Sequence, residues 1–346
     1  MPFLPVLLSR FSAHSQKGIS PKLEFRWSLI QGRPFLFFLM VFVLLISGGL
    51  NACQVILLEE NRAAAGTFQG ERAYQGVVAQ VGMGPRYVGT EGYREVQVWI
   101  REQLEESGWQ VEAQITNWKG RPVHNIIATR GKNGSGAGEG STDHILLGAH
   151  YDTRIYADQD PDPGQRADPV LGANDGASGV AVLLELARVM PDSVPVRLVF
   201  FDAEDNGKIP GWDWILGSEA YLEEIVRDEE QVPEVVVIVD MIGDRDLNIY
   251  QERSSTAWLR DSIWEAAAEL GYQESFIPRE KYSILDDHTP FLRAEIPAVD
   301  VIDFDYPYWH TTGDTVDKVS PESLEVVGET LLHWLTSSEV PLGVGK

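Results

Sequence analysis

Residues Val196–Gly207 read VRLVFFDAEDNG. Six apolar-dominated positions, Val196–Phe201, stop abruptly at Asp202, Glu204, Asp205 and Asn206, and a glycine follows. A short apolar run closed by turn residues predicts a strand buried on both faces, as in a parallel sheet. In open α/β sheets, ligands and chemistry collect at the carboxyl ends of such strands. Two adjacent acids at that place therefore suggest a division of labour, one holding a cation and the other moving a proton. Taken alone, the stretch reads equally well as an acidic surface turn.

Alternation on both sides of this stretch favours the first reading. His144–His150 and Glu234–Ile242 are further apolar runs, and Ile296–Ile302 is a fourth. Trp109–Thr116 and Asn125–Thr129 alternate like a hairpin. Helical patterns fall between them at about 69–81, 91–107, 179–190, 218–227, 256–270, 286–293 and 321–335. Val96, Ile100 and Leu104 mark one apolar face, and Val180, Leu183, Leu184 and Ala187 another. Strands alternating with helices predict a single doubly wound α/β domain, a mostly parallel central sheet in a three-layer α/β/α arrangement. No internal repeat or second domain is visible.

The chain has 346 residues and a formal charge of −24. From residue 53 onward 51 acidic residues face 23 basic ones, which argues against nucleic acid or anionic lipid as a partner of the folded part. Cys53 is the single cysteine, so no intrachain disulfide forms. Before it, Arg10, Lys17, Lys22, Arg26 and Arg33 precede the apolar stretch Pro34–Gly49, which ends in Leu50-Asn51-Ala52-Cys53. That is the layout of an export signal, and its ending resembles a bacterial lipobox with Cys53 as the lipidated residue. An uncleaved membrane anchor is the alternative. The expected organisation is 1–53 as export signal or anchor, 54–66 as tether and 67–340 as catalytic domain, tethered to a membrane outside the cytoplasm. Gly131–Thr142 (GKNGSGAGEGST) reads as a flexible surface loop.

Five places end a predicted strand or open a turn with a metal-ligand type: His150, Asp175, Glu204-Asp205, Asp240 and His310. Histidine with carboxylates is a zinc donor set. Singly each has a plainer reading: a core histidine, a helix cap at Asp175, a turn acid at Asp240. Together they are hard to dismiss. The run Asp158-x-Asp160-x-Asp162-x-Gly164 lacks the glycine position and closing Glu of a calcium loop, and reads instead as an acidic rim.

His150-Tyr151-Asp152, Gly172–Gly179, Glu204-Asp205, Asp240 and His310-Thr311 resemble the ordered motifs of the zinc exopeptidases of peptidase family M twenty-eight, which includes aminopeptidases and glutaminyl cyclases. The resemblance spans about residues 70–338. It implies one or two zinc ions, with Asp175 central, Asp205 and His310 completing one site, and His150 with Asp240 a second. Glu204 becomes the general base, and Asp152 orients His150. Aminopeptidases of the family usually show Glu-Glu where this chain has Glu204-Asp205, which shifts geometry while keeping a good ligand. Eleven residues separate Asp205 from Gly217 and include Trp212 and Trp214, as in the Trp-bearing insertion of the cyclases. Asp286–Leu292 resembles a cyclase stretch whose first acid, here Asp286, joins an active-site network. Tyr306 and Trp309 flank His310 and are expected, with Trp212 and Trp214, to wall a substrate pocket; Asp300 stands where the animal cyclases have histidine. The favoured expectation is cyclisation of N-terminal glutamine on a peptide or protein substrate. The alternatives are a zinc aminopeptidase and an inactive receptor-like binding domain.

Overall fold

In the computed structural model, residues 66–130, 145–227 and 231–337 are described. The leader, Cys53, most of the tether and the Gly131–Thr142 segment lie outside them. Among the described residues no helix is long and apolar enough to cross a membrane.

The central sheet has six strands: β1 (Gln110–Trp118), β2 (Arg121–Thr129), β3 (Ile145–His150), β4 (Val196–Phe201), β5 (Val235–Asp240) and β8 (Ala298–Ile302). Their order is β1-β2-β4-β3-β5-β8. The hairpin β1–β2 joins β4 antiparallel, whereas β4, β3, β5 and β8 run parallel. Period-two alternation explains why these runs are apolar throughout. Ile145, Leu147, Ala149, Leu198, Phe200, Val237 and Val239 enter the core on one face. Leu146, Val199, Phe201, Val236 and Ile238 enter the core on the other.

On the first face lie α1 (Gly70–Gly82), α2 (Glu91–Glu106), α3 (Ala177–Val189), α5 (Ala257–Glu269) and α7 (Pro321–Thr336), all of which contribute to that core. The second face is covered by α4 (Leu216–Ile225) and the short α6 (Thr289–Arg293). Local signals set the ends. Thr90 caps α2 by accepting the Tyr93 N–H at 3.2 Å, and Ser320 caps α7 ahead of Pro321 by accepting the Ser323 N–H at 3.1 Å. The expected doubly wound domain is therefore present. One element was not anticipated: a separate two-stranded parallel ribbon, β6 (Ile249–Gln251) with β7 (Phe276–Glu280). It is too short and too polar to announce itself by alternation. The expected helix at 286–293 is confined to α6, because Asp286–His288 form the turn that precedes it.

Register brings the site together. Gly148 of β3 pairs with Ile238 of β5, so two residues further on His150 and Asp240 stand level at the strand ends. Close packing holds that register. A Cβ at Gly179, in α3, would lie 2.6 Å from the Val239 carbonyl oxygen and 3.0 Å from Ala149 Cβ. The Gly179→Ala variant should lose about 1–3 kcal/mol of stability through this overpacking, read as a lower urea midpoint. An unchanged midpoint would show that α3 and the sheet are not in such contact.

Candidate active site

Four turns beyond the carboxyl ends of β3, β4, β5 and β8, with the Gly172–Gly176 turn before α3, converge on one pocket. Two triads share Asp175 there, buried except at the half-buried Asp240: His150–Asp175–Asp240 and Asp175–Asp205–His310. His150 Nε2 lies 3.3 Å from Asp175 Oδ1 and 3.1 Å from Asp240 Oδ1. His310 Nε2 lies 2.7 Å from Asp205 Oδ1 and 3.7 Å from Asp175 Oδ2. The shorter side chain of Asp205 thus still reaches the cluster.

The donors fit zinc. Asp175 Oδ2 and Asp205 Oδ2 are buried and, among the described residues, accept no hydrogen bond, which is costly for a carboxylate that lacks a cation. Burial pushes the Asp205 carboxyl up to about 6, helped by the charge of Asp175 and opposed by His310. Burial also drives Asp240 to about 7, against the pull of His150. Burial lowers the His310 imidazole, but Asp205 outweighs it and carries His310 to about 9. Imidazolium and shared protons therefore compensate the acids in the protein alone. A divalent cation held by imidazole and carboxylate would replace those protons.

Asp152 does more than orient His150. It accepts the backbone N–H of Glu204 at 3.0 Å and the Asn206 Nδ2–H at 3.2 Å, whereas His150 Nδ1 is 3.7 Å away, beyond a hydrogen bond. Its main task is to fix the turn after β4. That turn is strained: Ala203 has φ +54°, as His310 has +55° and Met241 +49°. Left-handed non-glycine residues clustered around one pocket are a mark of functional sites. The first acid of the turn, Asp202, serves the scaffold. It accepts Tyr93 Oη–H at 2.6 Å and the His124 N–H at 2.8 Å.

Several positioning residues escaped the sequence reading. Asp314 accepts the backbone N–H of Asn174 (2.9 Å) and Asp175 (3.1 Å) and the hydroxyl of Tyr306 (2.6 Å). Tyr306 is therefore a strut beneath the Asp175 turn and is absent from the lining of the substrate cavity. The buried Arg154 donates to the carbonyls of Asp205 (2.7 Å) and Gly207 (3.1 Å) and forks onto Asp158. Asp158 in turn lies 3.5 Å from His310 Nδ1, and Asp160 accepts the N–H of Thr312 at 2.9 Å. The expected acidic rim is thus a brace for the His310 loop.

Between the two triads and solvent lies a cavity of about 240 Å³ lined by Glu204, Asp286, Trp214, Trp309, Phe304 and Tyr282 among others. Trp309 stacks on the His310 ring at 3.8 Å and Trp214 stacks on it at 5.9 Å, with the Arg154 guanidinium over Trp214. Trp212 departs from expectation. It packs against the small cluster of Val123, Ala203, Leu216 and Ala220 and lies under the Arg121 guanidinium, outside the cavity lining. Asp286 reaches the cavity from the turn before α6, and behind it stand His288, Asp300 and Asp287, all buried. Burial raises Glu204 well above its ordinary range, and Asp205, Asp286 and Asp287 add to this while His150 opposes it.

The family's sequence profile, Peptidase family M28, matches residues 125–335. The chain belongs to this family. Its members are zinc-dependent enzymes, in keeping with the two donor triads. The chain is 28% identical over 203 residues to aminopeptidase YwaD of Bacillus subtilis, a match covering 54% of this chain but only 39% of that protein. A Zn-dependent exopeptidase from Parabacteroides distasonis superposes with a TM-score of 0.70 at 30% identity, covering 79% of this chain and all of that one. The glutaminyl cyclase of Porphyromonas gingivalis does so with 0.70 at 33% identity, covering 78% and 99%.

If Asp314 and Tyr306 hold the Asp175 turn, their loss should weaken metal binding. Asp314→Ala should reduce zinc affinity at least about tenfold in chelator competition. Tyr306→Phe should move it the same way by less. A Tyr306→Phe protein with unaltered zinc affinity and a raised KM for peptide would return Tyr306 to the substrate pocket.

Proposed function

We propose that the protein is a glutaminyl-peptide cyclotransferase, converting an N-terminal glutamine to pyroglutamate with release of ammonia. The observation that carries this reading is Asp286, a buried acid that opens onto the same aromatic cavity as Glu204 and stands amid Asp240, Asp287 and Asp300. Peptide hydrolysis needs one base to take a proton from water. Cyclisation needs a group that takes a proton from the substrate's own α-amine and gives it back to a departing nitrogen, in a site that keeps water out. A cluster of proton-sharing carboxyls behind Glu204 suits that shuttle. Burial raises Asp287 and Asp300 well above the ordinary range, with Asp286 adding to both.

In this reading the glutamine side chain enters between Trp214, Trp309 and Phe304. Asp175, Asp205 and His310 would hold a zinc ion, which would supply Lewis acidity to the side-chain amide. The α-amine nitrogen bonds to the side-chain amide carbon and the bond from that carbon to the amide nitrogen breaks. Glu204 accepts the proton shed by the amine and returns it to the leaving ammonia, so no net proton is consumed. Burial, with the charges of Asp205, Asp286 and Asp287, raises Glu204's affinity for a proton and so lets it do both.

Zinc aminopeptidase is the second reading. It is favoured by the complete second triad of His150, Asp175 and Asp240, which suits a two-ion site. Asp152, Asp175, Asp205, His310, His150 and Asp240 keep the same positions under either reading; Glu204 and Asp286 differ in what they do. We also propose that residues 67–340 form the catalytic domain and that Cys53 anchors it outside the cytoplasm. Mass spectrometry of the membrane-extracted protein should find Cys53 as its first residue and carrying lipid; a chain that keeps the residues before Cys53 would leave the apolar leader as the anchor.

Given Gln-Ala-Phe and Leu-Ala-Phe, the zinc-loaded protein should remove one ammonia from the first and leave the second intact. Release of free Leu would support the aminopeptidase. Glu204→Gln should lower kcat by at least about 100-fold while zinc content stays the same. Asp286→Asn should also lower kcat with little change in KM.

A further inference from the structure

Among the described residues, Lys208 is the only basic one lining the cavity, beside Asp175, Glu204, Asp205, Asp240 and Asp286. It is exposed, and among the described residues no hydrogen bond or ion pair engages it. The other lysine near this mouth, Lys281, is tied to Asp305. Lys208 is nevertheless held in place. Its backbone has φ +63°, an unfavourable conformation for a residue with a side chain. Gly207 before it is pressed so closely on Trp214 that a Cβ there would meet the indole at 2.1 Å. After it, the Ile209 N–H donates to the Asn206 carbonyl at 3.3 Å, and Asn206 is fixed by Asp152 and by the Ile155 N–H. A free cation on a pinned, strained loop at the mouth of an acidic cavity is poorly explained by folding.

From this geometry we infer that Lys208 selects peptides with Asp or Glu at the second or third position. The inference rests on the reading that the cavity takes a peptide N-terminus. With the first residue seated against Glu204, the chain must leave past the rim, advancing about 3.3–3.6 Å per residue. Residues two and three therefore pass within reach of a lysine side chain at the rim. The surrounding acids would repel an acidic peptide. Lys208 supplies an unpaired opposite charge at the rim that can reverse that preference.

The test uses the full-length, zinc-loaded protein with matched peptides carrying Gln first and Ala, Glu or Lys at position two or three. The ratio of kcat/KM for the Glu peptide over its Lys counterpart should exceed one by about two- to fivefold at low salt, mostly through KM, and shrink as salt rises. Lys208→Arg should keep that ratio and Lys208→Glu should invert it. A wild-type preference for the Lys peptide would show that the general acidic field dominates and overturn the inference. So would a Glu preference that survives Lys208→Glu. If none of the Gln peptides is turned over, the cyclase reading fails; turnover without charge discrimination rejects only the role of Lys208.

Discussion

Asp175 offers one carboxylate oxygen to the neighbourhood of His150 and the other to that of His310. Both triads depend on this one side chain, and among the described residues no arginine stands at hydrogen-bond distance from it. The surrounding structure exists largely to hold it there. Asp314 fixes its backbone from one side, and Asn174 ties the same turn to the β5 loop through Met241 O (3.1 Å) and the Gly243 N–H (2.7 Å). Ser178 joins in by accepting the Ile242 N–H. Buried charge of one sign is expensive, and the protein offsets it with imidazolium and shared protons until a cation arrives. Metal occupancy and the correct turn geometry are therefore one condition.

That condition separates two kinds of acid at the site. Asp175, Asp205 and Asp240 point at the histidines and are of the ligand type. Glu204, neighbour in sequence to Asp205, lines the same cavity with Asp286 but belongs to neither histidine triad. The aromatic walls complete the arrangement: Trp309 and Trp214 both stack against the His310 ring, so the same indoles that would exclude water from a substrate also restrict a metal-ligand imidazole. Substitutions at either tryptophan would act on both.

Much of this was legible because parallel strands are buried on two faces. Runs such as Val235–Asp240 have no polar interruption before their last residue, so a terminal His150 or Asp240 stands out against them. What sequence could not supply is which way a side chain leaves a loop. Trp212 and Trp214 are two apart in an irregular turn, and only Trp214 reaches the cavity. Tyr306 sits beside the right histidine yet points inward to Asp314. The acids at 158 and 160 look like solvated decoration until Arg154 and Thr312 are seen to bind them. The β6–β7 ribbon was invisible for a simpler reason, since three residues cannot display a period.

The central claim is that the substrate's own amine, and not water, is the nucleophile in this cavity. Turnover of an N-terminal glutamine peptide in ¹⁸O-labelled water tests it directly. The account predicts a pyroglutamyl product with no ¹⁸O, its lactam oxygen being that of the original amide. Products carrying one ¹⁸O in a newly formed carboxylate would contradict it and make the site hydrolytic.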